Sequence, residues 1–148
     1  MGYTNYWYRT DKPITQEFVD GVKRIIKESE KKGISIRGGD GTGEPEVTLE
    51  KISFNGNAEL GLDYESCYID NNGGKGKQRY DEGIFSFCKT ARKPYDYTVK
   101  RVLRLAKKHG IISEWSDDGK CEVRTDEEYL HPVQFEESPL KNNESPFK

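Results

Sequence analysis

Tyr3-Thr4-Asn5-Tyr6-Trp7-Tyr8-Arg9 is an aromatic and β-branched run closed by Asp11-Lys12-Pro13. Such residues favour a pleated, half-buried surface, so the run reads as a strand. Successive strand side chains point to opposite faces. Tyr3, Asn5, Trp7 and Arg9 therefore share one face, and Thr4, Tyr6 and Tyr8 share the other. Rings on both faces imply that one packs on helices while the other lines a groove.

Thr15 is suited to cap a helix from Gln16 to about Lys32. Phe18, Val22, Ile25 and Ile26 recur at helical spacing as its buried stripe, and Gly33 supplies a left-handed stop. A second helix follows Pro94, with Val99, Val102, Leu103 and Ala106 inside and Gly110 as its stop. Between the helices the chain reads as strands and loops. Ile34–Arg37, Glu46–Leu49, Lys51–Phe54, Tyr64–Ile69 and Phe85–Cys88 are short strands, with Asn55-Gly56 as a turn and 71–78 as a loop. Ile111–Trp115 and Lys120–Arg124 read as a hairpin around Asp117-Asp118-Gly119. The pattern predicts an α+β fold, a mostly antiparallel sheet with two main helices packed on one face. Alternating β-α-β units, which a doubly wound sheet requires, are absent from the middle of the chain. A single domain is expected over 1–130, followed by an extended or disordered acidic, proline-containing tail over 131–148.

At 148 residues the chain suits one compact domain. Hydrophobic residues make up 32% and charged residues 34%, and no stretch approaches the roughly 18 consecutive apolar residues of a membrane span. The opening residues have neither a basic nor an apolar leader segment, so a cytoplasmic protein is expected. Cys67, Cys88 and Cys121 are dispersed and odd in number, which fits reduced thiols. Cys67 and Cys88, each beside aromatics, read as small buried hydrophobes. No metal-ligand spacing or cofactor motif is present, so no cofactor and no metal are expected.

The net charge is −2, but it is unevenly spread. Residues 89–109 hold eight basic side chains and one acid, whereas the chain from Ile111 onward is strongly acidic. The near-neutral total argues against a general duplex-DNA coat, and the basic segment forms an electrostatic pole. Within it, Phe87-Cys88-Lys89-Thr90-Ala91-Arg92-Lys93-Pro94-Tyr95-Asp96 places cations and a hydroxyl ahead of a helix N-terminus, where free amides and the helix dipole favour an anion. Arg92 can grip a phosphate bidentately, Lys89 and Lys93 can add charge, and Tyr95 can stack on a base or ribose. The plainer role for these residues is a charged loop solvating a helix end. Gly39-Asp40-Gly41-Thr42-Gly43-Glu44 lacks the Lys-Ser/Thr of a phosphate loop. Asp40 and Glu44 suit ribose hydroxyls or base edges better than phosphate, and a tight connection between strands is the plainer role. Hydrolase signatures such as G-x-S-x-G and H-E-x-x-H are missing, and His109 suits a helix C-terminal partner.

The opening Gly2-Tyr3-Thr4-Asn5-Tyr6-Trp7 resembles small bacterial and phage or prophage proteins that begin Gly-Tyr-Thr-His-Tyr-Trp. The resemblance extends through the glycine loop ending at Glu46, through Ile52-Ser53-Phe54-Asn55-Gly56, and through Phe87 to Asp96. Asn5 departs from the usual His, which suits ligand binding better than catalysis. The resemblance implies a phage or prophage accessory protein in a bacterial cytoplasm. The chemistry of the motifs adds a phosphorylated, nucleotide-derived small molecule as ligand, with sequestration of a host immune signal as its purpose. The residues expected to bind it are Tyr3, Asn5, Trp7, Arg9, Lys89, Thr90, Arg92, Lys93, Tyr95, Asp40 and Glu44, with no catalytic residue assigned. Two other readings stand beside it: a nucleotide- or nucleic-acid-processing enzyme, and an interaction module that inhibits a host protein. A host protein and a second copy of the chain stay open as partners.

Overall fold

The computed structural model describes residues 2–71, 79–81 and 83–119. Most of the expected 71–78 loop, the Lys120–Arg124 half of the expected hairpin, the boundary at 130 and the 131–148 tail lie outside them. In chain order the elements are β1 (Thr4–Arg9), α1 (Gln16–Lys31), β2 (Ile36–Arg37), β3 (Glu46–Val47), β4 (Lys51–Gly56), a 3-10 turn (Ala58–Leu60), β5 (Cys67–Asp70), β6 (Arg79–Tyr80), β7 (Gly83–Lys89), α2 (Asp96–Lys108) and β8 (Ile112–Asp117).

The chain is α+β with two helices and antiparallel strands, as the pattern predicts, but the strands form two sheets rather than one. The first has the order β6-β7-β1-β8 and contains only antiparallel pairs. Its elements follow one another as β1, α1, β6, β7, α2, β8, the split β-α-β arrangement of ferredoxin-like domains. The second sheet is inserted between α1 and β6. There β4 pairs with β2, β3 and β5.

Local chemistry explains the helix ends. The Thr15 side chain accepts a hydrogen bond from the Phe18 amide, which satisfies one of the unpaired first-turn donors. Gly33 and Gly110 adopt the left-handed backbone just past the two helices. Phe18, Val22 and Ile25 are buried as the spacing predicts, while Ile26 is only partly so, and Val19 joins the core instead. The α2 stripe of Val99, Val102, Leu103 and Ala106 is fully buried. Both helices belong to one core cluster with Trp7 on the inner face of the first sheet. That cluster continues into Ile36, Ile52, Phe54, Cys67 and Ile69 of the second.

One expected turn is part of a strand. Asn55-Gly56 ends β4 and pairs with Arg37 and Ile36. The Asn55 side chain turns back to bridge Gly39 and Tyr64, so it closes the loops on either side instead of making a hairpin. Asp117 ends β8, which pairs with β1. Long-range pairing outweighs local turn propensity at Asn55-Gly56, whereas beyond Asp117 the chain bends at Asp118 and Gly119 and the Gly119 amide donates to the Asp117 side chain.

Candidate functional site

The two faces of the first sheet differ sharply. On the outer face the β1–β7 register sets Tyr6 opposite Phe87 and Tyr8 opposite Phe85. Tyr6 stacks on Phe85 with ring centroids 6.1 Å apart and planes 22° from parallel. Tyr8 meets Phe85 edge-on at 5.5 Å and Tyr80 of β6 at 6.1 Å. Phe85 and Phe87 lie 6.1 Å apart. Phe85, Phe87 and Tyr80 are 40%, 49% and 46% exposed. Five rings from three adjacent strands thus form one continuous aromatic surface. Contiguous exposed apolar surface of this kind marks a place for a ligand or partner.

An open groove of about 410 Å³ crosses this face, lined by Tyr6, Trp7, Tyr8 and Phe85 and by Glu114, Trp115 and Ser116 of β8. The Tyr6 hydroxyl donates to Asp118 at 2.7 Å, which fixes its ring. At the other end of the aromatic row, the Lys89 ammonium sits 5.9 Å from the centre of the Phe87 ring. The face therefore carries acid on the β8 side and a cation at the end of β7.

The inner face has different chemistry. Tyr3, Asn5, Trp7 and Arg9 are each at most 4% exposed, turned toward the helices rather than toward solvent. Asn5 donates from Nδ2 to Asp96 at 2.8 Å and accepts at Oδ1 from Lys100, also at 2.8 Å. The Lys100 ammonium donates further to Asp117 at 2.7 Å and to the Tyr3 hydroxyl at 3.0 Å, with Asp96 at 3.6 Å. Thr90 donates to the same Asp96 carboxylate at 2.7 Å. One buried lysine and two carboxylates are thereby locked between β1, α2 and β8. Arg9 spends its guanidinium on the carbonyls of Asp70, Thr10, Lys12 and Ile111. Burial pulls its pKa below the ordinary value.

The residues expected to bind ligand separate into distinct places. Tyr3, Asn5, Trp7, Arg9 and Thr90 belong to the interior. Tyr95 is buried too. Its hydroxyl donates to the Glu65 carbonyl, and burial pushes its pKa up. At the start of α2 the chain's own Asp96 carboxylate accepts from the Asn5 and Thr90 side chains and lies beside Lys100. Arg92 does reach the first strand: its guanidinium lies 4.0 Å from the centre of the Tyr3 ring. Lys93 donates to the Gly61 carbonyl, and Lys89 projects outward beside Phe87. Ala91 and Arg92 both hold positive φ, 54° and 58°, so this loop is backbone-strained. Asp40 and Glu44 sit on the loop of the second sheet. Asp40 accepts from the Thr42 amide and hydroxyl, which hold its carboxyl below the ordinary range.

The residues that line the groove were not among those expected, apart from Trp7. The signal that could have found them is the pair of i, i+2 ring pairs, Tyr6/Tyr8 and Phe85/Phe87, the second with the polar Ser86 between its rings. Among the described residues no group of three His, Cys, Asp or Glu side chains could hold a metal ion, and no helix is long and apolar enough to cross a membrane. Comparison with family models, with curated proteins and with solved structures gives no match to this chain.

Proposed function

We propose that the chain is a binding protein for a nucleotide-derived ligand, whose base stacks on the outer face of the first sheet. The observation that carries this reading is the five-ring surface of Tyr6, Tyr8, Tyr80, Phe85 and Phe87 on the edge and two central strands. Nucleobases present flat π-faces, and a base stacked on an aromatic side chain gains about 1–3 kcal/mol. The groove volume falls within the range of ligand pockets, roughly 300–1,000 Å³, and suits a base with its sugar. Lys89 supplies a cation for a phosphate at the end of the row. RNA-binding domains with this strand order stack bases on rings of the same two central strands, an analogy of architecture that supports the reading. Taken with the resemblance to phage and prophage proteins, the purpose is sequestration of a nucleotide signal of host immunity in the bacterial cytoplasm, with the ligand held intact.

Calorimetry with mono-, di- and cyclic nucleotides tests the reading. Phe85→Ala should weaken binding about 5- to 150-fold without changing the fold, the equivalent of losing one stacked ring. Lys108→Ala, on the exposed last turn of α2, should leave binding unchanged. Ligand recovered after denaturation should be chemically unaltered. No binding by the unmodified chain across the panel, or equal effects of the two substitutions, overturns the proposal.

A further inference from the structure

Resting on that reading, we infer that the outer face takes more than one base: its ligand is a short single strand of nucleic acid with at least two linked nucleobases. The groove accounts for Tyr6, Tyr8 and Phe85. Phe87 and Tyr80 do not line it, yet they remain 49% and 46% exposed and continue the row beyond Phe85 and Tyr8. Phe87 is 6.1 Å from Phe85, and Tyr80 is 6.1 Å from Tyr8. One base seated in the groove does not also cover these two rings. A strand with its bases splayed apart covers them in sequence, and this is how single strands engage aromatic platforms.

Chemistry and charge favour this occupant over a protein segment. The surface offers ring faces with no aliphatic side chain among them. Charge is also sorted across it. Lys89 stands beside Phe87 on β7, where a phosphate can lie. Glu114 and Ser116 on β8 border the groove, where a carboxylate and a hydroxyl can pair with the amino and imino edges of a base. Among the described side chains, cations near the row are few: Lys89 lies on it, and Arg92 and Lys93 follow in the loop beyond the strand. The basic side chains of α2 extend along a helix on the opposite side of the sheet. Stacking must then supply most of the affinity, and salt must matter little. A strand touching one or two of these cations should show a slope of log K against log salt between about −0.7 and −1.4.

The test is calorimetry on the full chain with UMP and with uridine oligomers of increasing length, up to an octamer, at several salt concentrations. Affinity should rise at least about tenfold from UMP to the tetramer, with the shallow salt slope. Phe87→Ala and Tyr80→Ala should weaken tetramer binding about 5- to 150-fold while leaving UMP binding within about twofold. Both rings are exposed, so melting temperatures should hold and folding does not confuse the result. UMP binding as tightly as the octamer overturns this inference and leaves the nucleotide-binding reading standing. A slope steeper than about −3 also overturns it, because it moves the strand onto the basic helix. Failure of every nucleotide and oligomer to bind overturns both. So does self-association in sedimentation that is lost in Phe85→Ala and Phe87→Ala, since it assigns the face to a second copy of the chain.

Discussion

Replacing Lys100 with methionine removes the cation that joins two carboxylates in a buried group. The ammonium uses all three of its hydrogens, on Tyr3, Asn5 and Asp117, and lies 3.6 Å from Asp96. Three charged hydrogen bonds at about 1.5–3 kcal/mol each would give an excessive sum. Methionine keeps the aliphatic stem packed, and Asp96 is open enough for water to approach, its side chain being 14% exposed. Asp117, its side chain 5% exposed, loses its close ion-pair partner and keeps the Gly119 amide. Breaking a buried pair by removing one partner costs about 3–5 kcal/mol, and that figure governs. Urea unfolding should therefore show a midpoint lower by roughly 1–5 M, given a slope of about 1–3 kcal/mol per molar. The double substitution Lys100→Met with Asp117→Asn should recover part of the loss, because no charge is then stranded beside the missing cation. A loss under about 1 kcal/mol, or a double variant as unstable as the sum of the singles, would refute the account of this group as a mutually compensating unit.

Leu103→Ala should cost about 2–5 kcal/mol, read from the same urea midpoints, because the side chain is fully buried between α2 and the sheet. Ala91→Gly should raise stability by up to about 1 kcal/mol in thermal melts, since it relieves a left-handed alanine at φ 54°. Stability should fall as pH rises above about 9. The Cys88 thiol is pushed above its ordinary 9.0 by its hydrogen bond with Cys67 and by burial, and the Tyr95 hydroxyl above its ordinary 10.0 by burial. A proton held more tightly in the folded state stabilises below the unfolded value and is lost as a contribution above it. Tyr95→Phe should flatten that decline, and melting temperatures that stay constant to pH 11 would contradict it.

Elements with a local signature were legible in the sequence. Thr15, the α1 stripe and Gly33 bound the first helix because capping, periodicity and the left-handed stop act within a few residues. The alternation in Tyr3–Arg9 separated an inner from an outer face for the same reason. The second sheet was not legible, because β4 finds its partners by closing loops whose pairing has no local mark. Lys100 looked like part of a solvated basic pole. Its counter-charge at Asp117 and its partners Asn5 and Tyr3 lie far away along the chain and meet it only in the fold. The site expectation favoured the face bearing Asn5 and Arg9, whose polar groups suggested a ligand. Those groups serve the interior, and the plainer rings of Tyr6 and Tyr8 face outward with Phe85 and Phe87.

The position of β1 has a consequence for the order of assembly. It is the first strand in the chain, yet both of its neighbours, β7 and β8, come from later residues, the last ending at Asp117. During synthesis at about 5–20 residues per second, Tyr6, Trp7 and Tyr8 leave the ribosome several seconds before the strands that pair with them exist. Neither the amide ladder of β1 nor its rings can be covered in that interval by their final partners. β1 is thus made before, and completed only after, the strands that flank it, and the nascent chain is most exposed to mispairing at these rings. Pairing over such sequence separations also belongs to the slow end of small-domain folding, milliseconds to seconds. Until synthesis passes β8, the aromatic strand is left to transient contacts.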